Sequence, residues 1–208
     1  MFPQSVWAWV LTMVCAYLMG SFSTSITVSK LFYKADIRKM GSGNAGATNT
    51  LRNFGAKKAL LVVLGDALKA ILAMVLAKLL VGQGGVLYAG SIAVVGHIFP
   101  AYYGLKGGKG VMSAAAMVLM FDRRMFLVVL VIFLLVVLLT RYVSLASILC
   151  AAAYPVTMVL FYPDQVWYIA ASFALAALVI WKHRANIVRL AHGQESKLGA
   201  KKKSDPQH

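Results

Sequence analysis

Acidic residues are scarce in this chain. Among its 208 residues, 6 are Asp or Glu and 21 are Lys or Arg, giving a formal net charge of +15. The carboxylates are scattered, which speaks against a magnesium or calcium site built from them. Cysteine is scarcer. Cys15 and Cys150 both lie in apolar stretches, lack the spacing of a metal site or redox pair, and read as small buried hydrophobes. No His-Glu-x-x-His and no Gly-x-Ser-x-Gly occurs, so zinc-hydrolase and serine-hydrolase chemistry have no foothold. No Lys or Arg precedes Lys30. The first apolar run therefore lacks the basic start of a cleavable signal peptide and is expected to stay as a membrane span.

What the chain has in quantity is apolar surface. It is 61% hydrophobic, above the half expected of a soluble domain, and its mean hydropathy is +0.77. The stretches from Met125 to Thr140 and from Leu145 to Phe161 contain no charge at all. This is an all-α integral membrane protein, a polytopic bundle of about seven transmembrane helices, some short or re-entrant. Spans are expected near 4–29, 57–81, 85–99, 110–121, 124–140, 143–161 and 165–182. Five full spans with two partial ones, at 85–99 and 110–121, is the alternative. Residues 1–198 form one membrane-embedded domain, and 199–208 form a flexible basic tail. The positive charge is assigned to the anionic leaflet and to anionic substrates. Aromatics are not interleaved with the basic clusters as they are in single-strand nucleic-acid grooves, so no nucleic-acid partner is expected, and no obligate protein partner is evident.

The loops carry the basic residues on one side. If the spans alternate, the segments 30–58, 106–109, 141 and 182–208 share a side and hold 17 of the 21 Lys and Arg. Arg123 and Arg124, beside Asp122, are exceptions. The positive-inside rule then puts the N-terminus outside and the C-terminus in the cytoplasm, with three polar clusters on the cytoplasmic face.

The first cluster is Gly41-Ser42-Gly43-Asn44-Ala45-Gly46-Ala47-Thr48-Asn49, with Arg52 just beyond. Three glycines break a helix and expose N–H groups. A nest of such groups at a helix start, with a guanidinium close by, suits an anion. The second runs from His97 and Pro100 to Lys106-Gly107-Gly108-Lys109-Gly110. It is not a nucleotide P-loop: that pattern needs Gly at 103, which is Tyr103, and Ser or Thr at 110. A tight phosphate-facing turn with Lys106 and Lys109 as point charges is the reading. His97, near a helix end, is equally suited to structural hydrogen bonding and to chemistry. In the third cluster, His183, Asn186 and Leu190 are spaced to share a helix face, with Arg189 beside Asn186 and Glu195 past Gly193. An amphipathic helix lying on lipid is the bland alternative. Inside the second span, Asp66 and Lys69 at i, i+3 read as a mutual ion pair facing the bundle. His-x-x-x-x-Asp, which suits acyl-CoA- or acyl-carrier-dependent acyltransferases, is absent: the fifth residue after His97, His183 and His192 is Tyr102, Val188 and Lys197.

Together, Ser-Gly-Asn-Ala-Gly-Ala-Thr-Asn, Gly-His-x-x-Pro with Lys-Gly-Gly-Lys-Gly-Val, and His-x-x-Asn-Ile-x-Arg-Leu with Gly-x-Glu resemble the bacterial acyl-phosphate-dependent glycerol-3-phosphate acyltransferases. The resemblance implies a multi-pass inner-membrane enzyme with its active site toward the cytoplasm. It implies transfer of a fatty acyl group from acyl phosphate to the 1-hydroxyl of glycerol 3-phosphate, giving lysophosphatidic acid and inorganic phosphate, the first acylation of phospholipid biosynthesis. It implies no cofactor, no metal and no acyl-enzyme, and membrane lipids as surroundings. By position, His183, Asn186 and Lys109 are its catalytic residues. Ser42, Gly43, Asn44, Gly46, Thr48, Asn49, Arg52, His97, Lys106, Gly107, Gly108, Gly110, Arg189 and Glu195 would bind substrate. In this reading Lys106 and Lys109 hold one phosphate, Ser42 and Arg52 the other, and His183 with Asn186 orients the attacking hydroxyl. His183 or the leaving phosphate takes the proton. A transporter of organic phosphates would use similar basic loops, but it should show internal repeats, and none is evident.

Overall fold

The computed structural model describes residues 5–199. Among them are nine α-helices: α1 Val6–Ser21, α2 Thr24–Tyr33, α3 Ala47–Val81, α4 Gly85–Ile98, α5 Val111–Phe121, α6 Arg123–Thr140, α7 Val143–Phe161, α8 Val166–Lys182 and α9 Arg184–Ala191. The α1–α2 pair, α3, α4 together with the 3-10 turn after it (Gly85–Tyr103), α6 and α7 are long and apolar enough to cross a membrane, α8 bends by 57° into α9, and α5 is a shorter apolar helix. The protein is a multi-pass membrane protein. The basic tail expected over 199–208 falls, apart from Gly199, outside the described residues.

The expected first span is broken. Ser21, Ser23, Thr24 and Ser25 interrupt the apolar run, and Phe22 and Ser23 take extended backbone angles. Ser23 caps α2 by accepting from the Ile26 N–H. A break inside a bilayer leaves backbone groups that need partners, and Lys69 Nζ supplies one by donating to the Phe22 carbonyl at 2.6 Å. The Asp66–Lys69 pair exists, at 3.0 Å, and it is larger than expected. Thr24 donates to Asp66 Oδ1 (3.1 Å), and the His97 ring lies against both charges. The cluster ties α1–α2, α3 and α4 together where charge is otherwise expensive.

α4 is the central helix, with 61% of its apolar window buried against 11% for α6. Small residues bring α1 onto it: a Cβ on Gly20 would fall 2.2 Å from the Ala93 carbonyl, and one on Gly96 would fall 2.4 Å from that of Tyr17. Close backbone approach of this kind stabilises helix pairs in lipid, where apolar burial gives no gain. α3 kinks at Gly55, whose φ of 81° leaves the helical region. Its first two turns form a separate short helix bearing Thr48 and Arg52, and the spanning part begins where it was expected.

α5 sets the depth of everything at one end. Its 11 residues rise about 16 Å, against about 30 Å of hydrocarbon. Asp122 caps α6 immediately after α5 by accepting from the Arg124 N–H, so the shortfall lies at the other end. There the 104–110 loop leads into the start of α5 beside a recess lined by Lys109, Gly110, Val111 and Met112. At the opposite end Trp9, Tyr88, Tyr168, Phe121 and Tyr162 make edge and tilted ring contacts, the amphipathic aromatics expected at a membrane interface.

Candidate active site

The recess is a cleft of ≈ 670 Å³ whose lining draws on all three polar clusters. The first cluster is organised by Asn49, which is buried. Its Oδ1 accepts from the Ser42 N–H and from Asn53, and its Nδ2 lies within 3.1 Å of the carbonyls of Ile37, Met40 and Asn44. Gly41 and Gly43, at φ +55° and +70°, give the loop the left-handed turns it needs. Gly46 begins α3 without a side-chain cap. The first N–H groups of that helix, beside Thr48, therefore remain available at a positive dipole end lining the cleft. Arg52, two turns on, donates to the Ser196 carbonyl at 3.3 Å.

The second cluster folds back on α4. The N–H groups of Gly107 and Gly108 donate to the carbonyls of Ile98 and His97, both at 3.2 Å. A Cβ on Gly107 would fall 2.1 Å from the His97 carbonyl, and one on Gly108 would fall 2.1 Å from His97 Nε2. The glycines bring the loop onto the end of α4, and that contact sends Lys109 into the cleft. Its ammonium donates to Asn186 Oδ1. Burial pulls Lys109 down to about 8, helped by Arg189, Arg52 and Lys182 and opposed by Glu195.

The third cluster supplies the frame for that contact. Glu195 is buried, and its Oε1 accepts from Asn186 Nδ2 (2.8 Å) and Ser144 Oγ (2.9 Å), while Oε2 accepts from Arg189 Nε (2.7 Å). Burial would raise its pKa, but the hydrogen bonds from Arg189, Asn186 and Ser144 outweigh it and hold the carboxyl below its ordinary value. An ionised Glu195 accepts only, so it fixes the Asn186 amide with its oxygen toward Lys109. His183 is 2% exposed, and its Nδ1 lies 2.8 Å from the Val179 carbonyl. Burial, with Lys109 adding to it, brings the imidazole down to about 4. It is neutral at pH 7, its Nδ1 hydrogen goes to Val179, and Nε2 keeps its lone pair. Residues 194–199 cross the mouth as a strap, held where the Leu198 N–H donates to the Arg141 carbonyl (2.7 Å) and Arg141 Nη2 to the Leu198 carbonyl (2.9 Å).

The cleft has two characters. Lys109, Arg52, Arg189 and the strap's own Lys197 give it positive charge, and its two carboxylates, Glu195 and Asp66, are both already paired. Deeper are Val63, Val111, Met112 and Phe133, from α3, α5 and α6. Such a site fits an anionic head with an apolar tail.

The glycerol-3-phosphate acyltransferase family model matches residues 10–193. The chain belongs to this family. It is 45% identical over 192 residues to the glycerol-3-phosphate acyltransferase of Finegoldia magna, covering 91% of this chain and 96% of that one. It is 40% identical to that of Geobacillus kaustophilus, covering 90% and 95%. Among solved structures it is similar to PlsY, an integral membrane glycerol 3-phosphate acyltransferase crystallised in a glycerol 3-phosphate form, with a TM-score of 0.84, 35% identity, and 92% and 96% of the two chains covered. A form of PlsY titled for lysophosphatidic acid gives 0.80 at 34% identity, covering 92% and 95%.

Within this acyltransferase, the cleft gathers Ser42, Asn44, Gly46, Thr48, Asn49, Arg52, His97, Lys109, Gly110, His183, Asn186, Arg189 and Glu195. Gly43, Lys106, Gly107 and Gly108 do not line it. Lys106 is exposed, and its carbonyl accepts from Arg38 at 3.4 Å, so the expected pairing of Lys106 with Lys109 around one phosphate does not form. The N–H groups of Gly107 and Gly108 are directed to α4 and not into the cleft. Asn49 has its amide committed to the loop. Ser144, Ser147 and Lys197 were not anticipated but line the cleft. A serine inside an apolar helix gives no signal of its own, and Lys197 resembled the tail lysines around it.

Proposed function

We propose that this acyltransferase moves a fatty acyl group from acyl phosphate to the 1-hydroxyl of glycerol 3-phosphate, yielding lysophosphatidic acid and inorganic phosphate at the inner membrane of a bacterium. The cleft end faces the cytoplasm, with the N-terminus outside and the C-terminus inside, in keeping with the 17 basic residues on that side. The observation that carries the reading is the Lys109–Asn186–Glu195 chain, set between cationic groups and an apolar slot. Both substrates are phosphate-bearing anions, and only the donor carries a tail. The α3 N-terminus with Ser42 and Thr48 suits one phosphate, and Lys109, Arg52 and Arg189 suit the other. The tail lies along Val63, Met112 and Phe133.

Acyl phosphate is already activated, so the enzyme's work is placement and charge neutralisation. Holding both reactants in register is worth up to about 7–11 kcal/mol of barrier. The 1-hydroxyl oxygen attacks the acyl carbonyl carbon, and the bond from that carbon to the phosphate oxygen breaks. Phosphate leaves with the electron pair, stabilised by Lys109 and the guanidinium groups. The hydroxyl proton passes to His183 Nε2 and on to the departing phosphate, which is the more basic of the two. Neither a metal nor an acyl-enzyme enters these steps.

Purified protein incubated with palmitoyl phosphate and labelled glycerol 3-phosphate in chelator-treated buffer is expected to form labelled lysophosphatidic acid and equimolar phosphate. Palmitoyl-CoA in place of the acyl phosphate is expected to give none. Product from the thioester alone would overturn the donor assignment, and no product from either would overturn the reaction.

A further inference from the structure

Two histidines line this cleft, and their neighbours fix them in opposite hydrogen-bonding senses. His183 is the acceptor described above. His97 is held at Nδ1 by Lys69 Nζ, 2.9 Å away. An ammonium only donates. Lys69 has three hydrogens and three acceptors around it: the Phe22 carbonyl at 2.6 Å, Asp66 Oδ1 at 3.0 Å and His97 Nδ1. Asp66 is its ion-pair partner and is buried with it. Asp66 Oδ1 lies farther from Nδ1, at 3.5 Å, and a hydrogen there would face the nearer ammonium hydrogens, so Nδ1 carries the lone pair and the ring hydrogen sits on Nε2.

From this geometry we infer that Lys69 is a positioning residue that locks His97 in its Nε2–H form, so that His97 donates a hydrogen bond to an anionic substrate oxygen in the cleft. Gly108 belongs to the same device. The place a Cβ would take at 108 lies 2.1 Å from Nε2, so any side chain there displaces the imidazole. Lys69 itself does not line the cleft, whereas His97 and Asp66 do. The ion cluster in the apolar part of the bundle thus acts on the reaction through one ring. A donor from His97 and an acceptor at His183 give the site both functions that acyl transfer needs. This role rests on the acyl-transfer reading, but the tautomer does not.

Ring 15N chemical shifts of histidine-labelled protein report the tautomer without any turnover. The expected spectrum has one buried neutral imidazole protonated at Nε2 and one protonated at Nδ1. His97→Asn and His183→Asn remove one signal each and so assign them. A His97 ring protonated at Nδ1, or at both nitrogens, overturns the inference whatever the activity. Kinetics separate donation from mere support. His97→Asn keeps an acceptor for Lys69 but does not reach the cleft, and kcat/KM should fall about 10²-fold. His97→Gln reaches the Nε2 position with an N–H and should retain activity within about tenfold of wild type. The reverse order, with Asn active and Gln inactive, would mean that the ring only braces Lys69. A loss in KM for His97→Asn marks the partner as a ground-state phosphate, and a loss in kcat marks the oxyanion formed during attack. If wild-type protein shows no acyl transfer while the 15N pattern holds, the acyl-transfer reading fails and the tautomer assignment stands.

Discussion

Glu195 and Asp122 are both nearly buried carboxylates held by an arginine close by in sequence, and they sit at opposite ends of the bundle. Asp122 accepts from the Arg124 N–H, from its guanidinium at 2.7 Å and from the Tyr162 hydroxyl at 2.8 Å. Arg124 holds its carboxyl well below the usual range. Every one of those contacts ends locally: they cap α6 and pin the α7–α8 turn. Glu195 accepts from Ser144, Arg189 and Asn186, and the last of these passes its influence to Lys109. The two sites differ little in acid chemistry. What differs is whether the third partner has a second hand extended into a cleft. A buried carboxylate–arginine pair is therefore a weak sign of function until its remaining partners are followed outward.

Breaking the chain at its far end should have the largest effect. Lys109→Ala is expected to lower kcat/KM by roughly 10³-fold with an unchanged melting profile in detergent. Unchanged kinetics would remove Lys109 from the reaction. Glu195→Gln tests whether the influence really travels. The amide can donate, so Asn186 loses its fixed orientation, and a fall of roughly 10–10²-fold is expected, mostly in kcat. A loss of stability with normal kcat would make Glu195 another Asp122. The pH profile sharpens the comparison further. In the proposed reaction Lys109 acts when protonated, and burial brings it down to about 8. kcat/KM of the free enzyme should therefore hold steady below that pH and fall above it. Lys109→Arg, if active, should carry that limb upward by more than one pH unit, and a limb that stays put would belong to another group. The smallest expected effect is at the opposite end. Asp122→Ala removes a helix cap and should cost about 1 kcal/mol of stability, with kcat/KM within about twofold of wild type.

The sequence carried the fold because lipid demands long apolar runs and because basic loops gather on one side. The spans at 57–81, 124–140, 143–161 and 165–182 stand close to α3 beyond its kink, α6, α7 and α8. The break at Phe22 was hidden by apolar neighbours, and only its serines hinted at it. The site was legible in parts. Lys109, His183, Asn186, Arg52 and Glu195 converge as their motifs implied. Asp66 and Lys69 were visible as a pair because a helix puts i and i+3 together. Their third member, His97, comes from another helix, and no spacing rule spans that distance. The packing of Gly107 and Gly108 on α4 was hidden for a related reason. A glycine pair beside lysines looks the same whether it makes room for a phosphate or for an imidazole, and only the coordinates distinguish them.

The brevity of α5 has a consequence for the cost of delivery. Because the start of this 11-residue helix lines the cleft, the proposed donor, anchored in the bilayer, would meet the reactive groups without leaving it. Desorbing a sixteen-carbon chain at about 0.8 kcal/mol per methylene would add roughly 12 kcal/mol to each turnover. In the proposed reaction a helix shortened by a few turns would bring the water-soluble partner down to the tail, and the product would be released already embedded in the leaflet.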